Sequence, residues 1–244
     1  MSGVRWLIVP AAGKGMRMGS DIPKQYLPLA ERTVLECTLT RLYQAWPNAH
    51  LILCLADDDE WFSDTMVPPF VAWTRIPGGA ERANSVVNGL NAIHAVASPT
   101  DWVAVHDVAR PCVTCDDLRH LASALHGNRV GGVLAVPVAD TMKRAASEEP
   151  YVLHTESREG LWHALTPQLF RYDVLYRAMD HANACATKAQ QALGHSITDE
   201  SSAVEALGEH PLLVKGRRDN IKITHPEDLS LVAHVLAAQA AMDK

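Results

Sequence analysis

The chain is poor in cysteine, with five among its 244 residues. They are Cys37, Cys54, Cys112, Cys115 and Cys185. An odd number of scattered cysteines favours a reducing cytoplasm over the disulfide framework of a secreted domain. Cys112 and Cys115 have the spacing of a redox or zinc pair, but the sequence has no second pair to complete a zinc site. We interpret these two as incidental thiols.

Long apolar runs and an excess of positive charge are also missing. No run approaches the roughly 20 apolar residues of a membrane helix, and the apolar stretch near the N-terminus is too short for a signal peptide. The formal net charge is −6, from 28 acidic and 22 basic residues, whereas surfaces that bind nucleic acid are usually basic. We therefore expect a cytoplasmic protein that binds neither a membrane nor nucleic acid. A small anionic ligand remains compatible with this charge, because a cleft can focus a local field.

A glycine-rich basic segment, residues 10–24, is the most informative part of the chain. It reads P-A-A-G-K-G-M-R-M-G-S-D-I-P-K and follows a short apolar run. Glycine lets backbone amides approach phosphate oxygens, and the nearby cations Lys14, Arg17 and Lys24 balance the charge of such a ligand. Met18 stands where a dinucleotide fingerprint has its third glycine, and the Gly-Lys-Ser/Thr of a P-loop is absent. The segment predicts a phosphate-binding loop of neither common type; a turn with solvated basic side chains is the alternative.

Apolar strand-like segments alternate with helical ones along the chain. Strands are predicted at residues 5–9, 51–55, 102–106, 132–137 and 212–214. Helices are predicted at residues 34–46, 82–96, 116–126, 172–181, 199–207 and 227–242, and Thr224 with Glu227 predicts a capping box for the last of them. This alternation predicts an α/β fold with a parallel sheet covered on both faces. Ligands then bind at the carboxyl ends of the strands.

Residues 138–158 depart from this alternation. Two strand-like pieces, 141–145 and 151–155, flank a polar turn at 147–150 and predict a β-hairpin. An isolated hairpin is marginal in water, so we expect it to pack on a second subunit; a solvent-exposed loop is the alternative. We interpret the chain as a single domain, residues 1–244, that carries this arm.

Two carboxylates follow predicted strands. Asp107 ends the strand at 102–106, and Asp219 follows the strand at 212–214. Mg²⁺ takes oxygen ligands and phosphates, so the two carboxylates predict a shared Mg²⁺ site. An Asp107–Arg110 turn pair, a helix cap or a charged surface turn is the alternative reading.

Three further segments carry polar groups that could contact ligands. A glycine pair ending at Gly79 opens a helix whose first turn holds Ser85, and such a helix start could bind a base edge or a sugar hydroxyl. A plain turn is the alternative there. Arg158 closes the hairpin, and Thr166 precedes a proline in extended backbone; both could contact a second ligand.

Taken together, these segments resemble the 2-C-methyl-D-erythritol 4-phosphate cytidylyltransferases of the non-mevalonate isoprenoid pathway. Seven motifs occur in the family's order between about residues 5 and 235. They are P-A-A-G-x-G-x-R-M with P-K-Q-Y-L, G-G-x-E-R-x-x-S-V, H-D-x-A-R-P, D-T-M-K-R, L-W-H-A-L-T-P-Q, T-D-E-S-S-A-V-E and D-N-I-K-I-T-x-P-E-D-L. The resemblance implies a Rossmann-like nucleotidyltransferase fold and a homodimer whose β-arms embrace the partner. It also implies Mg²⁺-dependent transfer of CMP from CTP to methylerythritol phosphate, with release of pyrophosphate.

The resemblance further implies a role for each matching residue. Those expected to bind the cytidine nucleotide are Pro10, Ala11, Ala12, Gly13, Gly15, Arg17, Lys24, Gly79, Ser85 and Asp107. Of these, Arg17 and Lys24 are expected to stabilise the transition state. Arg158 and Lys222 are expected to position the acceptor as further catalytic residues, with Thr141 and Thr166 helping to bind it. Thr141 and Arg158 are expected to act in the partner's site.

Two positions depart from the family pattern, and two alternatives stay open. Ala80 stands where some relatives carry a polar residue, and Met16 where some carry an arginine. Ribitol-5-phosphate cytidylyltransferases look similar in the nucleotide half, although T-M-K-R and L-W-H-A-L-T-P-Q favour methylerythritol phosphate. A nicotinamide-dependent reductase or a nucleotide sensor without catalysis is the alternative from another class.

Overall fold

A seven-stranded β-sheet organises the computed structural model, which describes residues 3–13, 15–146, 150–185 and 198–242. The described strands are β1 (Trp6–Pro10), β2 (Pro28–Leu29), β3 (Arg32–Thr33), β4 (His50–Leu55), β5 (Ala72–Pro77), β6 (Trp102–Val105), β7 (Gly131–Pro137), β8 (Met142–Ala145), β9 (Val152–Glu156), β10 (Trp162–Arg171) and β11 (Leu212–Lys215). The sheet order is β11-β7-β10-β6-β1-β4-β5. β10 is antiparallel to β6 and β7, and the other four pairs are parallel. The predicted α/β class with a mostly parallel sheet is confirmed.

Helices cover both faces of this sheet. They are α1 (Val34–Ala45), α2 (Arg82–Ile93), α3 (Cys115–Ala124), α4 (Tyr172–Cys185), α5 (Glu200–Ala206) and α6 (Pro226–Met242). Because successive side chains of a strand point to opposite faces, β1 contributes to two cores. Leu7 and Val9 pack in a cluster with α1 and α3, whereas Ile8 packs in a cluster with α2, α4 and α5. This double burial fixes the carboxyl end of β1, where the glycine-rich segment begins.

Two strands of the sheet were not expected from the sequence. β5 lies at the sheet edge, and its Thr74 and Arg75 are exposed, so it lacks the continuous apolar run of the inner strands. β10 contains Pro167, which has no backbone N–H for a ladder, and its register with β7 shifts between Ala164 and Gln168. Both strands therefore lack the sequence pattern of a regular buried strand.

The last helix does not begin with the expected capping box. α6 starts at Pro226, and the side chain of Thr224 donates to Lys222 O instead of capping the helix. The carboxylate of Asp228 accepts from the backbone N–H groups of Thr224 and His225, at 2.7 and 2.8 Å. A carboxylate one turn inside the helix thus satisfies the donors that precede it.

The predicted hairpin is present as the antiparallel pair β8–β9. Its turn residues 147–149 lie outside the described residues. Apolar side chains on the second half of the hairpin face solvent, with Tyr151, Val152 and Leu153 between 62 and 70% exposed. No helix among the described residues is both long and apolar enough to cross a membrane.

Candidate active site

A cavity of about 230 Å³ opens at the carboxyl ends of β1 and β6. It is lined by Pro10, Ala11, Ala12, Gly13, Arg17, Lys24, Gln25, Gly79, Ala80, Glu81, Arg82, Ser85, Asp107, Val108, Ala109 and Lys222. These residues come from four separate stretches of the chain. They meet because parallel strands end at the same edge of the sheet, which is where open α/β sheets bind ligands. Lys14 lies outside the described residues.

The glycine-rich segment supplies one wall and holds Lys24 over the cavity. Gly15 has φ of +66°, and a Cβ there would lie 3.0 Å from Cγ of Lys24. Glycine at this position therefore allows both the turn and the close approach of the lysine stem. Gly15 itself is not among the residues that line the cavity. Gly15 contributes to the site indirectly, because the absence of a Cβ leaves room for the Lys24 side chain.

The opposite wall is the turn that enters α2. A Cβ on Gly78 would lie 2.2 Å from Cβ of Ala12, so the two walls approach each other there as closely as backbone permits. The buried hydroxyl of Ser85 accepts from the backbone N–H of Gly79 at 3.0 Å and donates to Glu81 O at 3.4 Å. Ser85 thus fixes the shape of this wall as well as lining the cavity.

Asp107 is the buried carboxylate at the base of the cavity. Its Oδ1 accepts from Nε of Arg82 at 2.5 Å, and its Oδ2 lies 2.7 Å from Nζ of Lys222. Nε of Arg110 is 3.8 Å from Oδ2. Burial by itself would raise the pKa of Asp107, but Arg82 and Lys222 outweigh it and hold the pKa well below its usual range. The carboxylate is therefore ionised at any working pH.

Arg82 joins Asp107 to a second buried carboxylate. Its Nη1 and Nη2 donate to the two carboxylate oxygens of Glu200 at 2.6 and 2.9 Å, in the fork geometry that suits guanidinium. Glu200 begins α5 and is fully buried. Sequence reasoning assigned neither residue a role, although both stand inside the quoted motifs G-G-x-E-R-x-x-S-V and T-D-E-S-S-A-V-E. Their 118-residue separation gave no sign that they pair.

The cavity is positive although the chain as a whole is negative. Among the described residues that line it, four carry positive charge and two carry negative charge, an excess of two positive charges in a chain of net charge −6. The four are Arg17, Lys24, Arg82 and Lys222. Burial lowers the pKa of Lys24, and the neighbouring Lys222 lowers it further, whereas Asp107 opposes the shift. This group of cations, of which Lys24, Arg82 and Lys222 are partly buried, is suited to bind a polyanion.

Asp219 does not accompany Asp107 at the cavity. Its two carboxylate oxygens accept from Nε and Nη2 of Arg217, at 2.9 and 2.6 Å, and Gln239 Nε2 donates to one of them at 3.3 Å. Asp219 is not among the lining residues. The predicted metal site shared by Asp107 and Asp219 is therefore not assembled, because Asp219 forms an ion pair with Arg217 instead.

Three residues expected to bind the acceptor also lie outside this cavity. Thr166 is buried, and its hydroxyl accepts from the backbone N–H of Asp107 at 3.1 Å. Thr141 and Arg158 are exposed at the base of the hairpin, where Nη1 of Arg158 donates to Ala139 O. The fourth, Lys222, does line the cavity. The described chain thus brings together the expected nucleotide site and Lys222, but not the arm residues.

The family comparison decides what kind of protein this site belongs to. The family model described as "IspD: 2-C-methyl-D-erythritol 4-phosphate cytidylyltransferase" matches residues 6–238. The chain belongs to this family. It is accordingly a nucleotidyltransferase, and the reductase alternative is set aside.

Named relatives of the cytidylyltransferase family cover nearly the whole chain. The chain is 56% identical over 236 residues to 2-C-methyl-D-erythritol 4-phosphate cytidylyltransferase of Chromohalobacter salexigens. The aligned region covers 97% of this chain and 91% of the relative. The chain is 46% identical to that of Vibrio parahaemolyticus, with 95% of each chain covered. The crystal structure of the Francisella tularensis enzyme superposes with a TM-score of 0.76 at 32% identity, covering 96% of this chain and 100% of that one. The Rossmann-like nucleotidyltransferase fold expected from the motifs is confirmed.

One further cavity residue of this cytidylyltransferase has a clear structural place. Gln25 is buried, and its Nε2 donates to Ala11 O at 2.7 Å. This bond ties the short 3-10 helix Lys24–Tyr26 back to the residue that follows β1, and so holds the two ends of the glycine-rich segment together. The motif P-K-Q-Y-L contained this residue, but a glutamine in a sequence carries no sign of which backbone carbonyl it will meet.

Proposed function

We propose that this cavity transfers the CMP group of CTP to 2-C-methyl-D-erythritol 4-phosphate, giving 4-diphosphocytidyl-2-C-methyl-D-erythritol and pyrophosphate. The observation that carries the proposal is the convergence of four cations on one small cavity at the end of β1. The reaction brings two anions together, so its first difficulty is their mutual repulsion. A cavity with excess positive charge reduces that repulsion before any bond changes.

The two walls suit the two ends of the nucleotide. The phosphates belong beside the backbone of Ala12 and Gly13 and the cations Arg17 and Lys24, which line the cavity together. The base and ribose belong against the turn from Gly79 to Ser85, which leads into the start of α2. Asp107 lies between the walls, within reach of a ribose hydroxyl or a phosphate-bound ion.

The chemistry needs little beyond position and charge. An oxygen of the acceptor phosphate attacks the α-phosphorus of CTP, and the bond from that phosphorus to the pyrophosphate oxygen breaks with its electron pair. The attacking oxygen is already anionic, so no general base is required. Arg17 and Lys24 stabilise the charge that builds on the α-phosphoryl oxygens. Lys222, beside Asp107, holds the acceptor phosphate in line with the leaving group.

Mg²⁺ fits this cavity as an ion that the triphosphate carries in, rather than as one held by the protein alone. The described residues contain no group of three His, Cys, Asp or Glu side chains placed to hold a metal. Mg²⁺ is commonly bound through one or two carboxylates together with substrate phosphates, and Asp107 is an ionised carboxylate on this cavity. When bound, the ion would neutralise charge on the phosphate oxygens.

A homodimer through the β8–β9 arm completes the proposal. Residues 138–158 form the arm of a chain interpreted as one domain, and the exposed apolar side chains of β9 need a partner surface. In the dimer, Thr141 and Arg158 of each arm contact the acceptor in the partner's site, which explains why they are remote from their own cavity. Removal of residues 140–156 is expected to give a monomer in analytical ultracentrifugation; a dimer after this deletion would exclude the arm. A cytoplasmic location, in keeping with free thiols at Cys37, Cys54 and Cys112, stays a prediction.

The reaction is tested by pyrophosphate release from CTP with Mg²⁺ and a panel of acceptors. Release is expected with methylerythritol phosphate, and not with ribitol 5-phosphate or without an acceptor. Equal pyrophosphate release with both acceptors would contradict the proposed preference for methylerythritol phosphate. It would leave the proposed binding and cleavage of CTP unaffected. Binding of CTP without release under any condition would favour a sensor and overturn the proposal.

A further inference from the structure

A closed ring of hydrogen bonds adjoins the backbone of Asp107. Its members, His106, Arg110, Thr166 and Asn220, come from three separate segments of the chain. Nε2 of His106 donates to Arg110 O at 3.2 Å, and Nη1 of Arg110 donates to Asn220 O at 2.7 Å. Nδ2 of Asn220 donates to Thr166 O at 2.8 Å, and the Thr166 hydroxyl lies 3.1 Å from Nδ1 of His106. The ring therefore returns to the residue from which it started.

The positions of the protons in this ring follow from the partners. Arg110 O can only accept, so Nε2 of His106 carries a hydrogen. The Thr166 hydroxyl already accepts from the backbone N–H of Asp107 at 3.1 Å, and its own hydrogen needs an acceptor. Nδ1 of His106 is the acceptor within reach. The geometry thus selects one neutral tautomer of His106, in which both ring nitrogens of His106 and the Thr166 hydroxyl have a partner.

The ring connects the two halves of the reactive site. Asp107 follows His106 in the chain, and its backbone N–H donates to the Thr166 hydroxyl. Lys222 stands two residues after Asn220, and the backbone N–H of Ile223 donates to Ala109 O at 2.8 Å. The segment that carries Lys222 is thereby held against the turn that carries Asp107, and their side chains meet at 2.7 Å.

We infer that His106 and Thr166 are positioning residues that set the Asp107–Lys222 pair for the transfer reaction. Neither lines the cavity, and both are buried with at most 5% of the residue exposed, so the ring acts on the pair from outside the cavity. Thr166 acts on this pair through its hydrogen bond with the backbone N–H of Asp107. The inference rests on the proposed function, because it takes Asp107 and Lys222 as members of the reaction site.

The ring itself is tested without any substrate, by ¹⁵N NMR of the histidine side chains. The His106 resonances are expected to report one neutral tautomer, protonated at Nε2. In Thr166→Val, which keeps the shape and removes the hydroxyl, the Nδ1 resonance is expected to shift because its hydrogen bond is lost, whereas Thr166→Ser retains the wild-type signal. A tautomer protonated at Nδ1, or a Nδ1 signal indifferent to Thr166→Val, would overturn the inference whether or not the enzyme transfers CMP.

The effect on catalysis is tested by a cycle of variants. Thr166→Val and His106→Phe are each expected to lower kcat/KM for both substrates by roughly 10–100-fold, the range for a displacement of about an ångström. Thr166→Ser should stay within about 3-fold of wild type, and the double variant should be no worse than the worse single one, since both break the same ring. Lys222→Ala should cost much less in the Thr166→Val background than in wild type. If Thr166→Val raises only the KM for the acceptor, Thr166 contacts the acceptor directly and the inference fails. If Lys222→Ala lowers kcat/KM by the same factor in wild type and in Thr166→Val, the ring stabilises the fold without positioning Lys222, and the inference also fails.

Discussion

Replacing Arg82 by methionine is expected to destabilise the fold by about 3–5 kcal/mol, the cost of removing one partner from a buried ion pair. Arg82 neutralises Asp107 and Glu200 together, at 2.5 Å from one carboxylate and 2.6 Å from the other. Methionine fills much of the same volume without charge. The loss of unfolding free energy therefore reports the cost of leaving the two buried carboxylates without their arginine partner. Asp107 keeps Lys222, whereas Glu200 is fully buried and has no second cation beside it among the residues that the structure describes. The main cost therefore falls on Glu200.

The expected pH dependence follows from the same residue. Burial raises the pKa of Glu200, against the lowering effect of Arg82. Without Arg82 the pKa of the folded state rises further above that of the unfolded chain, so the folded variant binds a proton more tightly. The variant is thus penalised most at high pH, and its deficit relative to wild type shrinks as the pH falls through the raised pKa. Adding Glu200→Gln should likewise recover part of the loss.

Urea unfolding at pH 8 and pH 5.5 measures the loss of unfolding free energy and its dependence on pH, and thermal unfolding measures the matching change in Tm. At about 2–4 °C per kcal/mol for a chain of this size, the loss corresponds to a Tm lower by roughly 6–20 °C. Arg119→Met is the matched control, because its pair with Asp116 is exposed on both sides and 3.7 Å long; such pairs contribute about 0–1 kcal/mol. Equal stability of Arg82→Met and Arg119→Met would show that Arg82 does not hold two buried carboxylates.

Three further predictions concern the walls and the arm. Gly15→Ala is expected to raise the KM for CTP, because the new Cβ would press on the Lys24 stem; Gly127→Ala has a similar positive φ with open space around it and should leave the KM unchanged. In the pH profile of kcat/KM for CTP, activity is expected to fall on the alkaline side below the ordinary lysine value of 10.5, because burial lowers the pKa of Lys24 and deprotonation removes its charge; a limb at or above that value would show that Lys24 does not titrate there. Arg158→Ala is expected to raise the KM for the acceptor more than for CTP, and equal changes would count against its acceptor role.

The sequence predicts the inner strands well, because they depend on local pattern. Continuous apolar runs give β1, β4, β6 and β7, since strands covered on both faces have no polar side. Glycines and cations in residues 10–24 indicate phosphate binding for the same local reason. The meeting of the glycine-rich segment with Asp107 is also foreseeable, because the parallel strands β1 and β6 end at one edge of the sheet.

What the sequence does not reveal depends on distant pairing. Asp219 and Lys222 are three residues apart, yet Lys222 reaches the cavity while Arg217 takes up Asp219. Arg82 meets Glu200 across 118 residues, and Thr166 meets His106 across 60. Which polar group fills such a contact is decided by the packing of whole elements, and no local spacing records it.

The central claim is that cations of the β1-end cavity carry cytidylyl transfer, and Lys24 tests it most directly. The measurement is the rate of acceptor-dependent pyrophosphate release from CTP by Lys24→Ala, with Lys215→Ala, an exposed lysine outside the cavity, as the matched control. A fall in kcat by on the order of 10²–10³ is expected, the range for loss of one preorganised charge-stabilising donor. Lys215→Ala should keep wild-type turnover. Near wild-type turnover in Lys24→Ala would contradict the role assigned to this cavity.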